Sequence, residues 1–254
     1  MKKHIAILIF SLCALWPTLA FESFLGPRLE LGHTMGFGKG VGSFKDYAQL
    51  DGVLGDYTPV SVTQSFQLTA QTGLVYQAQF VSWFALVTEF GVGFNNGLTY
   101  KGNYNPVDAG DVDRIDKPAL DGTMRYSWTS LDLNLIGLFT VARPNSAVRI
   151  NLLVGPTLSM QLGGIREIFT APSHSQGAPY TEDTKGIAQN VAFVNAGIVA
   201  GIGTQIAVGP GLITIEGRTN WGFVAPLVTH MSKDKPVFIA RPFSINLAYS
   251  FRMP

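Results

Sequence analysis

Glu30, Glu89, Asp132 and Glu216 each lie in a segment where polar and apolar residues alternate, and each falls on the polar parity. Arg149, Arg218 and Arg252 occupy the same parity of segments of the same kind. Alternate side chains of a strand share one face, so these charges from separate segments converge if their strands share one sheet. Charges withdrawn from water persist when paired. The chemistry this set supports is therefore an interior network of ion pairs and hydrogen bonds, in which Glu216 and Arg218, two apart on one face, need opposite charges from neighbouring strands. An ion path or a small-ligand site is the alternative use of the same groups.

Other reactive residues form no comparable set. His33 falls on the apolar parity of its segment, and Ser173-His174-Ser175 and His230 with Ser232 and Asp234 lie in two long polar connections where nothing sets their mutual geometry. No catalytic residue is assigned and no enzyme is expected. Gly36, Gly38, Gly40 and Gly42 surround Lys39, but no Gly-Lys-Ser/Thr follows, so this is no phosphate loop. Asp108, Asp111, Asp113, Asp116 and Asp121 lack the glycine and distal glutamate of an EF-hand. No metal and no cofactor are expected. The only cysteine is Cys13.

Long strands must position the charges. From Gln64 to Phe80, Phe66, Leu68, Ala70, Leu74, Tyr76, Ala78 and Phe80 share one parity, against Ser65, Gln67, Thr69, Gln71, Gly73, Gln77 and Gln79 on the other. Roughly 17 residues at about 3.3 Å each cross a bilayer on a tilted path. Seven further segments alternate in the same way: Arg28 to Gly38, Trp83 to Asn95, Tyr126 to Thr140, Val148 to Leu162, Ala192 to Gln205, Leu212 to Phe223 and Phe243 to Arg252. In the segment at Tyr126, the apolar Met124, Tyr126 and Trp128 fall out of phase with Leu131, Leu133 and Leu135, which predicts a bulge near Trp128.

The rest of the chain agrees with crossing a membrane by strands. Met1-Lys2-Lys3-His4, an apolar run from Ile5 to Trp16 and Thr18-Leu19-Ala20 predict a signal peptide over residues 1–20, cleaved after Ala20, ahead of one domain over 21–254. Only 14% of residues are charged, yet no later stretch is apolar enough for a membrane helix. Strands that face lipid must satisfy every backbone group among themselves, which requires closure. The expected fold is all-β, an eight-stranded antiparallel transmembrane up-and-down β-barrel. Long connections near 39–62, 96–125, 163–191 and 225–241 alternate with short ones at Val81-Ser82, Arg143 to Ser146 and Gly209-Pro210-Gly211. That asymmetry belongs to bacterial outer-membrane barrels, whose long loops face outward. A net charge of +1 gives no case for nucleic acid.

The run Ser130 to Leu138, then Val148 to Pro156, Ala196 to Gly203, Glu216-Gly217-Arg218 and the terminal Phe243 to Phe251 resemble the outer-membrane β-barrel domain family that includes PorT-like proteins, with OmpW- and OmpA-type barrels as more distant relatives. The resemblance implies the outer membrane of a diderm bacterium, contact with its lipids, and an envelope or surface partner at the long loops. It implies no catalytic residue. Phe243, Ile245, Leu247, Tyr249 and Phe251 form the terminal strand that outer-membrane barrels present to the barrel-assembly machinery, although Arg252-Met253-Pro254 follow the last aromatic. A narrow channel or transporter for small or apolar solutes is the alternative function, and a lipid-modifying outer-membrane enzyme using the serine, histidine and aspartate groups of the long connections ranks behind it.

Overall fold

A strand whose side chains alternate between apolar and polar buries neither face on its own, and closing a ring of such strands places one face outside and the other in a lumen. The computed structural model describes residues 22–38, 41, 57–106, 120–142, 146–171, 180–185, 194–223 and 237–254. Its strands are β1 (Glu22–Phe37), β2 (Tyr57–Ser65), β3 (Gln67–Val81), β4 (Phe84–Pro106), β5 (Leu120–Ala142), β6 (Val148–Ala171), β7 (Tyr180–Lys185), β8 (Val194–Val208), β9 (Gly211–Gly222) and β10 (Phe238–Arg252). Eight of them close a barrel in the order β1, β3, β4, β5, β6, β8, β9, β10 and back to β1, with every neighbouring pair antiparallel. The short strands lie outside this ring: β2 pairs with the far part of β4, and β7 with the far end of β6.

Strand continues where sequence alone predicts connections. β4 runs on to Pro106, β5 starts at Leu120 and β6 reaches Ala171, so the wall extends well past the bilayer at the end opposite the short turns. Beyond the lipid, neither face must be apolar, so alternation fades while the backbone ladder persists. The leader expected over 1–20, most of the acidic segment, His174 and His230 lie outside the described residues.

The outward parity is a belt of large apolar side chains. Leu29, Leu31, Leu68, Leu74, Phe90, Leu152, Ile202, Phe243, Ile245, Leu247 and Phe251 are all exposed, Leu68 to 61%. Such a continuous surface is lipid-facing, since a water-soluble protein would aggregate through it. Aromatic rings gather at both rims. Phe84 packs against Phe80, Trp83 and Phe139 beside the short turns, and Phe37 against Trp221 and Phe238 at the other end. These are the positions of interfacial girdles.

The bulge expected in the strand at Trp128 lies in its neighbours instead. Between Gly93 and Asn96, β4 carries an extra residue relative to β5, and Asn95 there takes φ of 57°. On the other side, the register of β6 against β5 shifts between Arg166 and Leu162. β5 keeps its own phase, so Tyr126 remains inside, fully buried, with its ring edge-on to Tyr100 at 6.2 Å. The extra residue turns Asn96, Leu98 and Tyr100 inward, and Leu98, Tyr100, Tyr126 and Val237 are each at most 1% exposed. What looked like a phase error in β5 is an apolar layer toward the long-connection end of the lumen.

Purified in detergent, the protein should give a β-rich circular dichroism spectrum and migrate differently on a gel before and after boiling, as closed barrels do. A helical spectrum, or full solubility without detergent, contradicts this fold.

Candidate functional site

The lumen of an eight-stranded barrel is only wide enough for side chains to fill. Near the short turns the filling is apolar: Val75, Ala85, Val87, Ile136, Leu138, Leu153, Val199 and Ala248 form one buried cluster. Polar residues share this region. Gln205 of β8 donates at 2.6 Å to Gln77 of β3, and β3 lies four strands from β8 either way round the ring, so the bond spans a diameter.

Farther from the short turns the filling is charged. Glu30, Glu89, Asp132 and Glu216 are at most 5% exposed, and three buried arginines meet them. Arg218 of β9 reaches Glu89 of β4, again four strands away, with Nη2 to Oε1 at 2.6 Å and Nη1 to Oε2 at 2.7 Å. It also pairs with Glu216 on its own strand. Arg28 of β1 donates to Glu89 and Glu30, each at 2.7 Å, and to Gln71, which in turn donates to Asp132. Arg241 of β10 crosses to Asp132 of β5 at 2.9 Å, a third diametric contact, and lies 3.5 Å from Glu30. Neutral donors take up further carboxylate lone pairs: Asn134 on Glu89, Asn246 on Glu216, and Ser130 and Ser159 on Asp132. All seven charged groups belong to one connected network.

Glycines on the inward parity make room for it. A Cβ on Gly203 would sit 2.4 Å from the Glu216 side chain, one on Gly201 3.3 Å from that of Arg218, and one on Gly93 2.6 Å from Ser130 Oγ. The long Arg and Glu side chains occupy the volume that larger residues would take.

The sequence-derived set and this network overlap without coinciding. Glu30, Glu89, Asp132, Glu216 and Arg218 meet in it. Arg252 does not: its side chain is 58% exposed at the short-turn rim, where it pairs with Glu22 at 2.8 Å. Arg149 stands near the start of β6 opposite Gln205, only partly buried, and enters no ion pair among the described residues. Their places are taken by Arg28 and Arg241. Arg28 opens the alternating segment from Arg28 to Gly38 and shares a face with Glu30 two residues on, so its inward placement is already legible there. Arg241 is hidden by a register shift between Arg241 and Ser244, spanning Pro242. Simple alternation from Phe243 assigns Arg241 to lipid; the bulge brings it inside.

Above the network, toward the long connections, a cavity of about 70 Å³ is lined by Asn96, Trp128, Asp132, Asn195, Asn220 and Arg241, among others. No group of acidic, histidine or cysteine side chains suited to a metal ion occurs among the described residues. On the outside, Phe243, Ile245, Leu247 and Phe251 of β10 point to lipid, and Tyr249 packs edge-on against Phe251 at 4.7 Å.

Three guanidinium groups face four carboxylates, so loss of a positive charge and loss of a negative one should differ in effect. Arg218→Ala leaves Glu89 and Glu216 short of a partner and is expected to cost about 3–5 kcal/mol. Glu216→Gln keeps an acceptor for Arg218, which retains Glu89, and should cost under about 1 kcal/mol. Urea unfolding in lipid vesicles measures both. Equal losses would mean that the charges are not coupled as described.

No protein-family model matches the chain, and no curated protein matches it in sequence. Similar solved structures are the outer membrane protein OprG from Pseudomonas aeruginosa, Ail, the attachment invasion locus protein of Yersinia pestis, and Neisserial surface protein A. OprG has a TM-score of 0.43 and 8% identity, with 92% of this chain and 96% of that one covered. For Ail the TM-score is 0.36 and the identity 12%, over 92% of this chain and all of the other. Neisserial surface protein A gives 0.34 and 12%, over 90% and 97%.

Proposed function

We propose that this is a small barrel of a bacterial outer membrane whose lumen is closed, and which serves envelope architecture or surface interaction through its four long connections. The filled lumen carries this reading. Three side-chain contacts span the barrel's diameter, and an apolar cluster lies beneath the charged layer. Conduction needs sites that ions can both enter and leave, and carboxylates held by two or more donors leave no such passage. The narrow-channel alternative would require these contacts to open.

The belt and girdles support residence among outer-membrane lipids, and the leader over 1–20 supports export. Phe243, Ile245, Leu247, Tyr249 and Phe251 serve in this reading as the strand recognised by the barrel-assembly machinery. An envelope role is also what the resemblance to PorT-like members implies. No activity on lipids is proposed.

Reconstituted in planar bilayers, the protein should conduct at background level. Cysteines placed at Asp113 and Gln176 should react with an impermeant thiol reagent on intact cells, and one at Asn145 only after the outer membrane is opened. Sustained conductance that Arg218→Ala alters in selectivity would favour the channel; inverted labelling would place the long connections in the periplasm.

A further inference from the structure

Among the described residues, the charged layer does not balance. Arg28, Arg218 and Arg241 supply three positive charges and Glu30, Glu89, Asp132 and Glu216 four negative ones, all buried and all in one network. Burying an uncompensated charge is expensive, so a positive group close by is favoured. The cavity adjoins this layer directly, with Asp132 and Arg241 in its wall. Those two charges are already paired, which leaves the neutral part of the lining available. Asn195 Oδ1 is buried and has no hydrogen-bond partner, so it needs a donor or a cation. Gly222 opposite leaves room for this placement, since a Cβ there would lie 2.2 Å from the Asn195 amide. Trp128 adds an indole, whose face attracts cations.

We propose that this cavity binds a small monovalent cation, an ammonium group or an alkali ion. The electrostatics select charge over a neutral polar ligand, because a neutral molecule satisfies Asn195 but leaves the network one charge short. Size sets the upper limit. At about 10–15 Å³ per water, the cavity holds about five waters, and it is far below the roughly 300 Å³ of ordinary ligand pockets. A partly hydrated ion or a single amine fits, and a bulky quaternary ammonium does not. This site is a dead end beside the charged layer and does not depend on whether the long connections contact partners.

The test is thermal unfolding of the refolded full-length barrel in chloride salts of ammonium, sodium, potassium and tetraethylammonium at one ionic strength, with intrinsic tryptophan fluorescence followed in parallel. At least one small cation should raise the midpoint and change the fluorescence saturably, while tetraethylammonium does neither. A response confined to ammonium assigns an amine; a response to sodium or potassium assigns an alkali ion. Asn195→Ala removes the free acceptor and Glu216→Gln removes the excess charge without touching the cavity wall, so each should weaken the apparent affinity at least about tenfold. Identical midpoints in all four salts overturn the proposal, as does a response shared by tetraethylammonium or one unchanged in both variants. A midpoint that moves with pH but not with the cation shows that a proton supplies the charge, and overturns it equally. Should either variant fail to refold, the salt series on the parent protein still decides.

Discussion

Arg218 and Glu89 come from strands on opposite sides of the barrel, and their two parallel hydrogen bonds tie those walls together through the lumen. Much else in the interior follows from this bridge. A guanidinium can be buried only if its donors are met, so Glu216 flanks it and Glu30 lies 3.8 Å away. A carboxylate shared by two arginines needs further donors, which Asn134 supplies. Side chains this long need space, and the glycines of β4 and β8 leave it.

A lumen held by ion pairs differs from the core of a soluble protein. In water, apolar packing of the same volume would often serve stability as well or better. Here the outer face must already be apolar, so an apolar inner face would erase the difference between the two sides of each strand. A one-residue slip exchanges the faces. Charges on the inner parity make that exchange prohibitive, because it would place Glu89, Asp132, Glu216 and Arg218 against hydrocarbon. The network thus fixes register and orientation together. The cluster near the short turns can be apolar because inward positions on the same strands carry charge: Glu89 next to Val87, and Asp132 on the long-connection side of Ile136.

In the closed-lumen reading we propose, the same filling that secures the barrel removes its use as a pore. Among the described residues, a polar cavity lies above the charged layer, toward the long connections. In that reading, structure and function separate along the axis, with the filled barrel in the membrane and the surface chemistry beyond it.

Alternation over eight long segments made the closed transmembrane barrel, its lipid face, and the inward placement of Glu30, Glu89, Asp132, Glu216 and Arg218 legible, because a period of two is a local property of the chain and lipid imposes it on every crossing. The partners of those charges were not legible. Parity says which way a side chain points, not which strand stands four places round the ring. Irregular backbone carried the remaining surprises. One extra residue at Asn95 turned Leu98 and Tyr100 inward, and the shift beside Pro242 brought Arg241 from the lipid face to Asp132. Arg252, by contrast, keeps the inward phase of β10 yet lies past the last buried layer, where solvent reaches it. Phase is written along the chain, whereas height in the barrel and the identity of the opposite wall exist only once the ring has closed.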